Sequence, residues 1–332
     1  MSERPENSVT TRIQAMERRI RELENRVVGL SRAFSQARHQ SRRIWLRPPL
    51  WTFDQYLPRK LEIEKNYLDQ KAPSSAPPVA IVTPSYNHGR YLKATIDSVL
   101  EQKYPCLRYH VQDGGSDDET KKVLQSFDGQ LTWHYEPDSG QAQAINRGFA
   151  AVAGGIMAYI NSDDMLLPGT LAYVAQAFEQ FRDVDLIYGH RIFVDRDGLE
   201  IGRAVLPRHD PKAIYWADYV PQETLFWRRK VWESVGPFDE MFHYALDWDF
   251  ILRAQAAGFK FARLPRFLAC FRVHESQKTS LNYEFGREEM QRLRLRHLGF
   301  MPAQTQVNKA MVPYLARQLA FHWMYRLGLV QY

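Results

Sequence analysis

The chain has 332 residues, 45% apolar and 25% charged, with a net charge of +6. This is the balance of a globular protein that can build a core, and it excludes a disordered chain. Two distant cysteines, Cys106 and Cys270, exclude a disulfide framework or a cysteine metal cluster and fit a reducing cytoplasm. No apolar run approaches the roughly 18 residues of a membrane-spanning helix, and the polar opening "MSERPENSVTTR" does not read as a signal peptide.

Residues 12–47 carry ten Arg and three Glu, a net +7, so the remainder stands at −1. The basic character is therefore assigned to an N-terminal arm. Such an arm can meet an anionic membrane surface, nucleic acid or only water. Within it Ile13, Met16, Ile20, Leu23, Val27, Leu30 and Phe34 repeat at alternating spacings of 3 and 4. That is a heptad pattern with β-branched residues at a and Leu at d, which favours a parallel two-stranded coil. Arg12 and Arg19 at g would face Glu17 and Glu24 at e of a partner. Thr11 and Gln14 have the spacing of a capping box. The expectation for residues 1–35 is a homo-oligomer, with a parallel dimer favoured. The alternative is an amphipathic helix lying on its own domain, because so short a coil is marginal alone. Nucleic acid is not an expected partner, since the heptads account for the spacing in the arm.

Residues 36–78 read as a basic, aromatic connector. Pro48, Pro49 and Pro58 prevent one continuous helix. Arg beside Trp is a membrane-surface signal, and packing onto the domain is an equal alternative. "KAPSSAPP" ends the segment as a linker. Beyond it, short β-branched or aromatic runs at 79–83, 107–112, 131–135, 156–160 and 186–188 alternate with helical stretches at 90–103, 117–127, 140–153 and 168–181. The alternation predicts an α/β fold, a mostly parallel Rossmann-like sheet with helices on both faces. The last stretch, 286–332, reads as a helical extension. Its "YLARQLAFHWMYRLGLVQY" would cover the domain, pack in an oligomer or touch a membrane.

Polar clusters fall at the carboxyl ends of the predicted strands, where such sheets bind ligands. They are "TPSYNHGRYL", "VQDGGSDDET" and "NSDD". Gly114 and Gly115 permit a tight turn near a ligand. Asp113 could accept a hydrogen bond from a heterocyclic N–H. Asp163 could hold a hard divalent cation. Each signal alone is weak, because an Asp after a strand is commonly a helix cap; Asp117 or Asp118 is the expected cap of the helix at 118–127.

The chain resembles the glycosyltransferase family 2 proteins, inverting enzymes of the GT-A fold, of bacterial polysaccharide or O-antigen type. The matching pieces are "AIVTPSYNHGRYLKATIDSVLEQKYP", "VQDGGSDDET", "DSGQAQAINRGFAAVAGG", "YINSDDMLLPGTL", "PQETLFWRRKVWESVGPFDE", "ALDWDFILRAQAAGFKF" and "FRVHESQKT". They stand in family order over about residues 79–280 and imply a transferase domain at 79–285. The resemblance implies a nucleotide-sugar donor, a glycan or lipid-linked acceptor, and Mn2+ or Mg2+ as cofactor. Residues 83–87, with Pro84, Tyr86 and Asn87, would line the base pocket, and Asp113 would meet the base edge. Gln141 and Asn146 would approach the sugar and ribose. Asp163 would match the last acid of the D-x-D motif, with Asn161 in place of its first acid. His274 would lie near the diphosphate or metal; a lid or structural bond is the alternative. Asp247 would match the catalytic base, although Leu246 stands where the family often has a supporting acid.

Spacing separates two neighbouring acids. Asp249 has Arg253 at i+4 and so a structural partner, whereas Asp247 has no basic residue at 250 or 251. Asp164 would support the loop, and Gln222 and Glu223 would face the acceptor or merely end a strand. A cytoplasmic place, at the inner face of the membrane, would suit a lipid-linked acceptor. A nucleotidyltransferase is disfavoured because "TPSYNHGRYL" lacks the Gly and Lys of a triphosphate loop. A catalytically impaired coiled-coil scaffold is the other alternative, fed by Leu246 and Asn161.

Overall fold

The computed structural model describes residues 55–275 and 283–332, with only the backbone of 283–285. The heptad segment and the first part of the connector lie outside the described residues. Five strands of the expected alternation are present: β2 (Val79–Ser85), β3 (Leu107–Asp113), β4 (Thr132–Tyr135), β5 (Ile156–Tyr159) and β7 (Leu186–Val194). Between them run α2 (Gly89–Leu100), α3 (Thr120–Gln125), α4 (Gln141–Ala151) and α5 (Thr170–Gln180). Every residue of β2 is buried, so the sheet is covered on both faces there, which is why its sequence is a continuous apolar run. Helix α4 lies so close to β2 that a Cβ on Gly148 would stand 2.4 Å from Val82 Cγ1.

The neighbours β5-β2-β3-β4 are parallel, with β2 residues 79–85 level with β3 residues 107–113. The sheet continues past β5 with antiparallel partners: β9 (Phe226–Arg228), β7, β8 (Glu200–Ala204) and β1 (Gln55–Arg59). Strand β10 (Phe261–Arg272) runs parallel to β7, and its end pairs antiparallel with β6 (Met165–Leu166). That last pairing matters for function, because it brings the chain after Arg272 against the loop that follows β5.

The compact unit runs from Phe53 to Tyr332. The second half of the expected connector therefore belongs to the domain. Strand β1 pairs with β8, and Tyr67, in the short helix α1 (Lys65–Leu68), is buried under the Arg266 guanidinium, 3.9 Å from its ring centroid. The helices α6 (Arg229–Val235) and α7 (Leu246–Ala256) follow β9. The C-terminal helices α8 (Tyr283–Leu298) and α9 (Gln304–Arg326) pack on the same body, burying Leu293, Val307, Met311 and Tyr314.

Candidate active site

Loops from the ends of β2, β3 and β5 are stitched together before any ligand is considered. Asn87 adopts the left-handed conformation at φ 53°, which Asn tolerates. Its backbone N–H donates to Ser116 Oγ at 2.8 Å and its Oδ1 accepts from the Asp117 N–H at 2.9 Å. Asp118 accepts from the backbone N–H of Gly89 and of Thr120, at 2.8 and 2.9 Å, so one carboxylate serves the first turns of α2 and α3. These bonds hold its carboxyl below the ordinary value despite burial.

The turn after β5, residues 161–164, is held from two sides. The Thr95 hydroxyl of α2 lies 2.9 and 2.7 Å from the carbonyls of Ser162 and Asp164. From β10, Arg272 Nε donates to the Asp163 carbonyl at 2.8 Å and the Arg272 backbone N–H donates to Asp164 Oδ1 at 2.9 Å. Asp164 is buried in this brace. Burial, then Asp163 and Glu223, push its carboxyl well above the ordinary range, while the Arg272 N–H and Arg191 pull it back. Asp164 thus supports the turn, and Asp163 is the acid that faces the histidines.

His274 Nε2 lies 2.9 Å from Asp163 Oδ2. His88, held by Ser162 Oγ at 2.8 Å from Nδ1, completes a cluster in which one ligand atom of each of His88, Asp163 and His274 lies within 4.8 Å of the others. Two imidazoles and one carboxylate are a mixed nitrogen and oxygen donor set. Such a set fits a divalent transition ion such as Mn2+ better than Mg2+, which prefers oxygen alone.

Beside this cluster runs a chain of amides. Gln141 Nε2, at the first residue of α4, donates to Asn161 Oδ1 at 2.7 Å; Asn161 Nδ2 donates to Gln222 Oε1 at 3.0 Å; Gln222 Nε2 donates to the Tyr159 carbonyl at 2.8 Å. Asn161 is therefore the hub of an amide network, and its Nδ2 also stands 3.5 Å from Asp164 Oδ2.

Asp247 sits at the second residue of α7, half-buried, and its Oδ1 accepts from the Trp248 N–H at 2.8 Å. The loop leading to it is fixed from α8: the buried carboxylate of Glu289 accepts from the backbone N–H groups of His243, Tyr244 and Ala245, each at 2.8 Å. Asp249, fully buried, is tied to Arg253 at 2.7 Å and Arg296 at 2.9 Å, the structural role its spacing predicts. Leu246 is buried and fills the core. A second carboxyl instead enters the field of Asp247 from elsewhere in the chain. Burial and then Asp247 push Asp218 well above the ordinary value. The Tyr159 hydroxyl is likewise raised, by burial and then by Asp247, Asp218, Asp164 and Glu223.

Several of the expected contact residues have partners inside the protein. Thr83 is buried with its hydroxyl 3.0 Å from the Tyr109 hydroxyl, so it belongs to the core rather than to a base pocket. Pro84 is buried in β2, and only Tyr86 (62% exposed) and Asn87 stand open beyond the strand. Asp113 is fully buried; its Oδ1 accepts from the N–H groups of Gly115 and Ser116 at 3.0 and 2.8 Å and its Oδ2 from Ser116 Oγ at 2.7 Å. That carboxylate shapes its own loop, where Gly115 takes φ 85°. The amide of Asn146 clips the Phe238 backbone, donating to its carbonyl at 2.9 Å and accepting from its N–H at 3.0 Å. Glu223 does not face an acceptor: it is buried in a two-pronged pair with Arg191, at 2.6 Å for each bond. His88, Arg191, Asp218, Arg272 and Glu289 escaped sequence reasoning. Only His88 gave a signal, as the residue after Asn87 in a strand-end loop.

The architecture is that of the GT-A glycosyltransferases. It resembles Staphylococcus aureus TarS 1–349 solved with UDP-GlcNAc, with a TM-score of 0.56, 18% identity, and coverage of 74% of this chain and 73% of that one. It also resembles the mannosyltransferase PcManGT of Pyrobaculum calidifontis solved with GDP-Man and Mn2+, with a TM-score of 0.54, 17% identity and 81% of each chain covered. Residues 80–260, more than half of the chain, match the glycosyl transferase family 2 profile, and the protein belongs to that family. An uncharacterized glycosyltransferase of Mycobacterium tuberculosis is 31% identical over 185 residues, 54% of this chain and 70% of its own length. A PGL/p-HBAD biosynthesis glycosyltransferase of Mycobacterium bovis is 29% identical over 184 residues, with the same coverage.

Proposed function

We propose that the protein is an inverting, metal-dependent glycosyltransferase that moves a hexosyl or deoxyhexosyl unit from a nucleoside-diphosphate sugar to a hydroxyl of a glycan or lipid-linked saccharide. The observation that carries this reading is the cluster of His88, Asp163 and His274 at the end of β5, in a domain where Asp247 opens α7. The nucleotide-sugars named with TarS and PcManGT support the donor class. The acceptor, a role in polysaccharide assembly and a place at the cytoplasmic face of the membrane rest on the sequence resemblance.

Asp163, His88 and His274 would hold the divalent cation. When bound, the ion neutralises charge on the diphosphate leaving group. The chain's own part is positional. Arg272 and Thr95 fix the turn that carries Asp163, and Glu289 fixes the loop before Asp247. Asp247 takes the proton of the acceptor hydroxyl as that oxygen bonds to the anomeric carbon. The bond from that carbon to the diphosphate oxygen breaks on the opposite face, and one displacement inverts configuration. Holding donor and acceptor in line supplies a large share of the barrier reduction.

A panel of nucleotide-sugars, scored for hydrolysis and thermal stabilisation with Mn2+ or EDTA, tests the assignment. One donor should stabilise the protein only with Mn2+. Asp247→Asn should lower transfer by about 10²–10⁴-fold, the usual worth of a general base, and leave that stabilisation in place. Transfer by Asp247→Asn at the wild-type rate would remove Asp247 from the mechanism.

A further inference from the structure

The last acidic residue of the chain is Glu289. Residues 290–332 hold six Arg and Lys and no Asp or Glu, a net +6. Subtracting this segment and residues 12–47 from the total of +6 leaves −7 for the rest of the chain. The near-neutral sum outside the arm thus hides an acidic body with a cationic C-terminal segment.

Within that segment α9 is apolar on two faces. The inner face buries Val307, Met311 and Tyr314, and Phe321 and Tyr325 pack on the cluster formed by Ile192, Val194 and Phe267. The outer face carries Val312, Leu319, Trp323 and Leu327, at i, i+7, i+11 and i+15, and Leu329 extends it. Leu319, Trp323 and Leu327 are 58%, 55% and 68% exposed. A helix that is apolar all round is normally buried all round, yet this face stands open. Lys309, Arg317 and Arg326 are exposed on the same helix, Arg317 meeting Asp210.

We propose that the outer face of α9 docks on an anionic lipid bilayer surface. Trp and Leu flanked by Lys and Arg is the composition of interfacial helices, whose apolar face sinks about 5–10 Å into the headgroup region. Charge selects this occupant over the others. A two-fold contact would set the same patch against itself, cation against cation, and the chain's own arm carries +7. No helix of the described residues is long and apolar enough to cross a membrane, so the contact is lateral. The inference stands whether or not the transferase reading holds.

Co-sedimentation of the full chain with phosphatidylcholine vesicles, with and without phosphatidylglycerol, tests it. The protein should pellet with the anionic vesicles and be released by high salt. Leu319→Glu with Trp323→Glu should abolish binding with an unchanged melting temperature, since both side chains are exposed. Lys309→Glu and Arg326→Glu should each weaken it by at least about fivefold, the equivalent of about 1 kcal/mol per cation. The proposal is overturned if wild-type protein ignores anionic vesicles, or if the double variant still binds. It is also overturned if only removal of residues 1–35 ends binding, or if the double variant instead turns a dimer into a monomer by light scattering.

Discussion

The two halves of the sheet do different work. In the parallel half, β5-β2-β3-β4, the loops at the strand ends are short, polar and cross-linked, and they present His88 and Asp163. In the antiparallel half the polar groups are buried and mostly spent on each other or on those loops: Arg191 on Glu223, Arg272 on the turn at 161–164. The parallel half presents two of the clustered groups, and the other half braces them and adds the third, His274, just after β10. A site with exposed chemistry needs such a brace, because side chains that must bind a changing charge cannot also fix their own geometry.

That division can be broken experimentally. The largest effect is expected in the brace: Glu223→Gln leaves the Arg191 charge buried without its pair and should cost about 3–5 kcal/mol in urea unfolding. Arg191→Met with Glu223→Leu should recover much of that, and a single-variant cost near zero would show that the pair is not a brace. On the other side, His88→Ala should weaken Mn2+ binding by calorimetry by roughly ten- to a hundredfold, the range set for groups that tune a metal site, with little loss of stability. A large loss of stability would move His88 from the ligand side to the brace.

The third test uses acid. Burial and then Arg263 hold His190 well below its ordinary 6.5, and its Nδ1 accepts from the Leu206 N–H at 3.0 Å, so the folded ring stays neutral. The unfolded chain takes up that proton below about 6.5 and the folded chain does not, so stability is present above that value and falls as pH falls. From about pH 7 to pH 5 this one ring should remove about 2 kcal/mol. His190→Gln should flatten the decline of the urea midpoint by that amount, and an equal decline in both proteins would show another group at work. The smallest effect is at the hub of amides. Asn161→Asp would set a carboxylate against Gln222 Oε1 and lose a hydrogen bond, costing about 1–2 kcal/mol. With Asn161 engaged by Gln141 and Gln222, Mn2+ binding should change little, and a gain above about tenfold by calorimetry would show that the network yields to the metal.

The sequence made the parallel half legible because β2 and β5 open as apolar runs and all four strands alternate with helical stretches, with polar clusters at the ends of β2, β3 and β5. It also separated Asp247 from Asp249, since the i+4 partner of Asp249 is local. Strands β1, β8 and β9 were not read, because a short strand in an antiparallel array carries no continuous run; β10 was not read although it contains the apolar run Phe267–Phe271, which Arg263, Pro265 and Arg266 precede. The family resemblance proposed donor roles for Asp113 and Asn146; the structure adds that one holds its own loop and the other clips the Phe238 backbone, which no spacing announces. Leu246 and Asn161 fed a scaffold reading, but one fills the core and the other joins two glutamines.

The sequence by itself determined the alternation of strands and helices, the polar strand ends and the family, all of which rest on neighbours within a few residues. Tertiary structure alone decided that His88 joins His274 across 186 positions, that Asp218 shares a field with Asp247 and that Glu289 anchors the loop before it. It also decided that one face of α9 is left open. Those are meetings of side chains far apart in the chain, and burial, distance and the pairing of charges exist only once the sheet has brought them together.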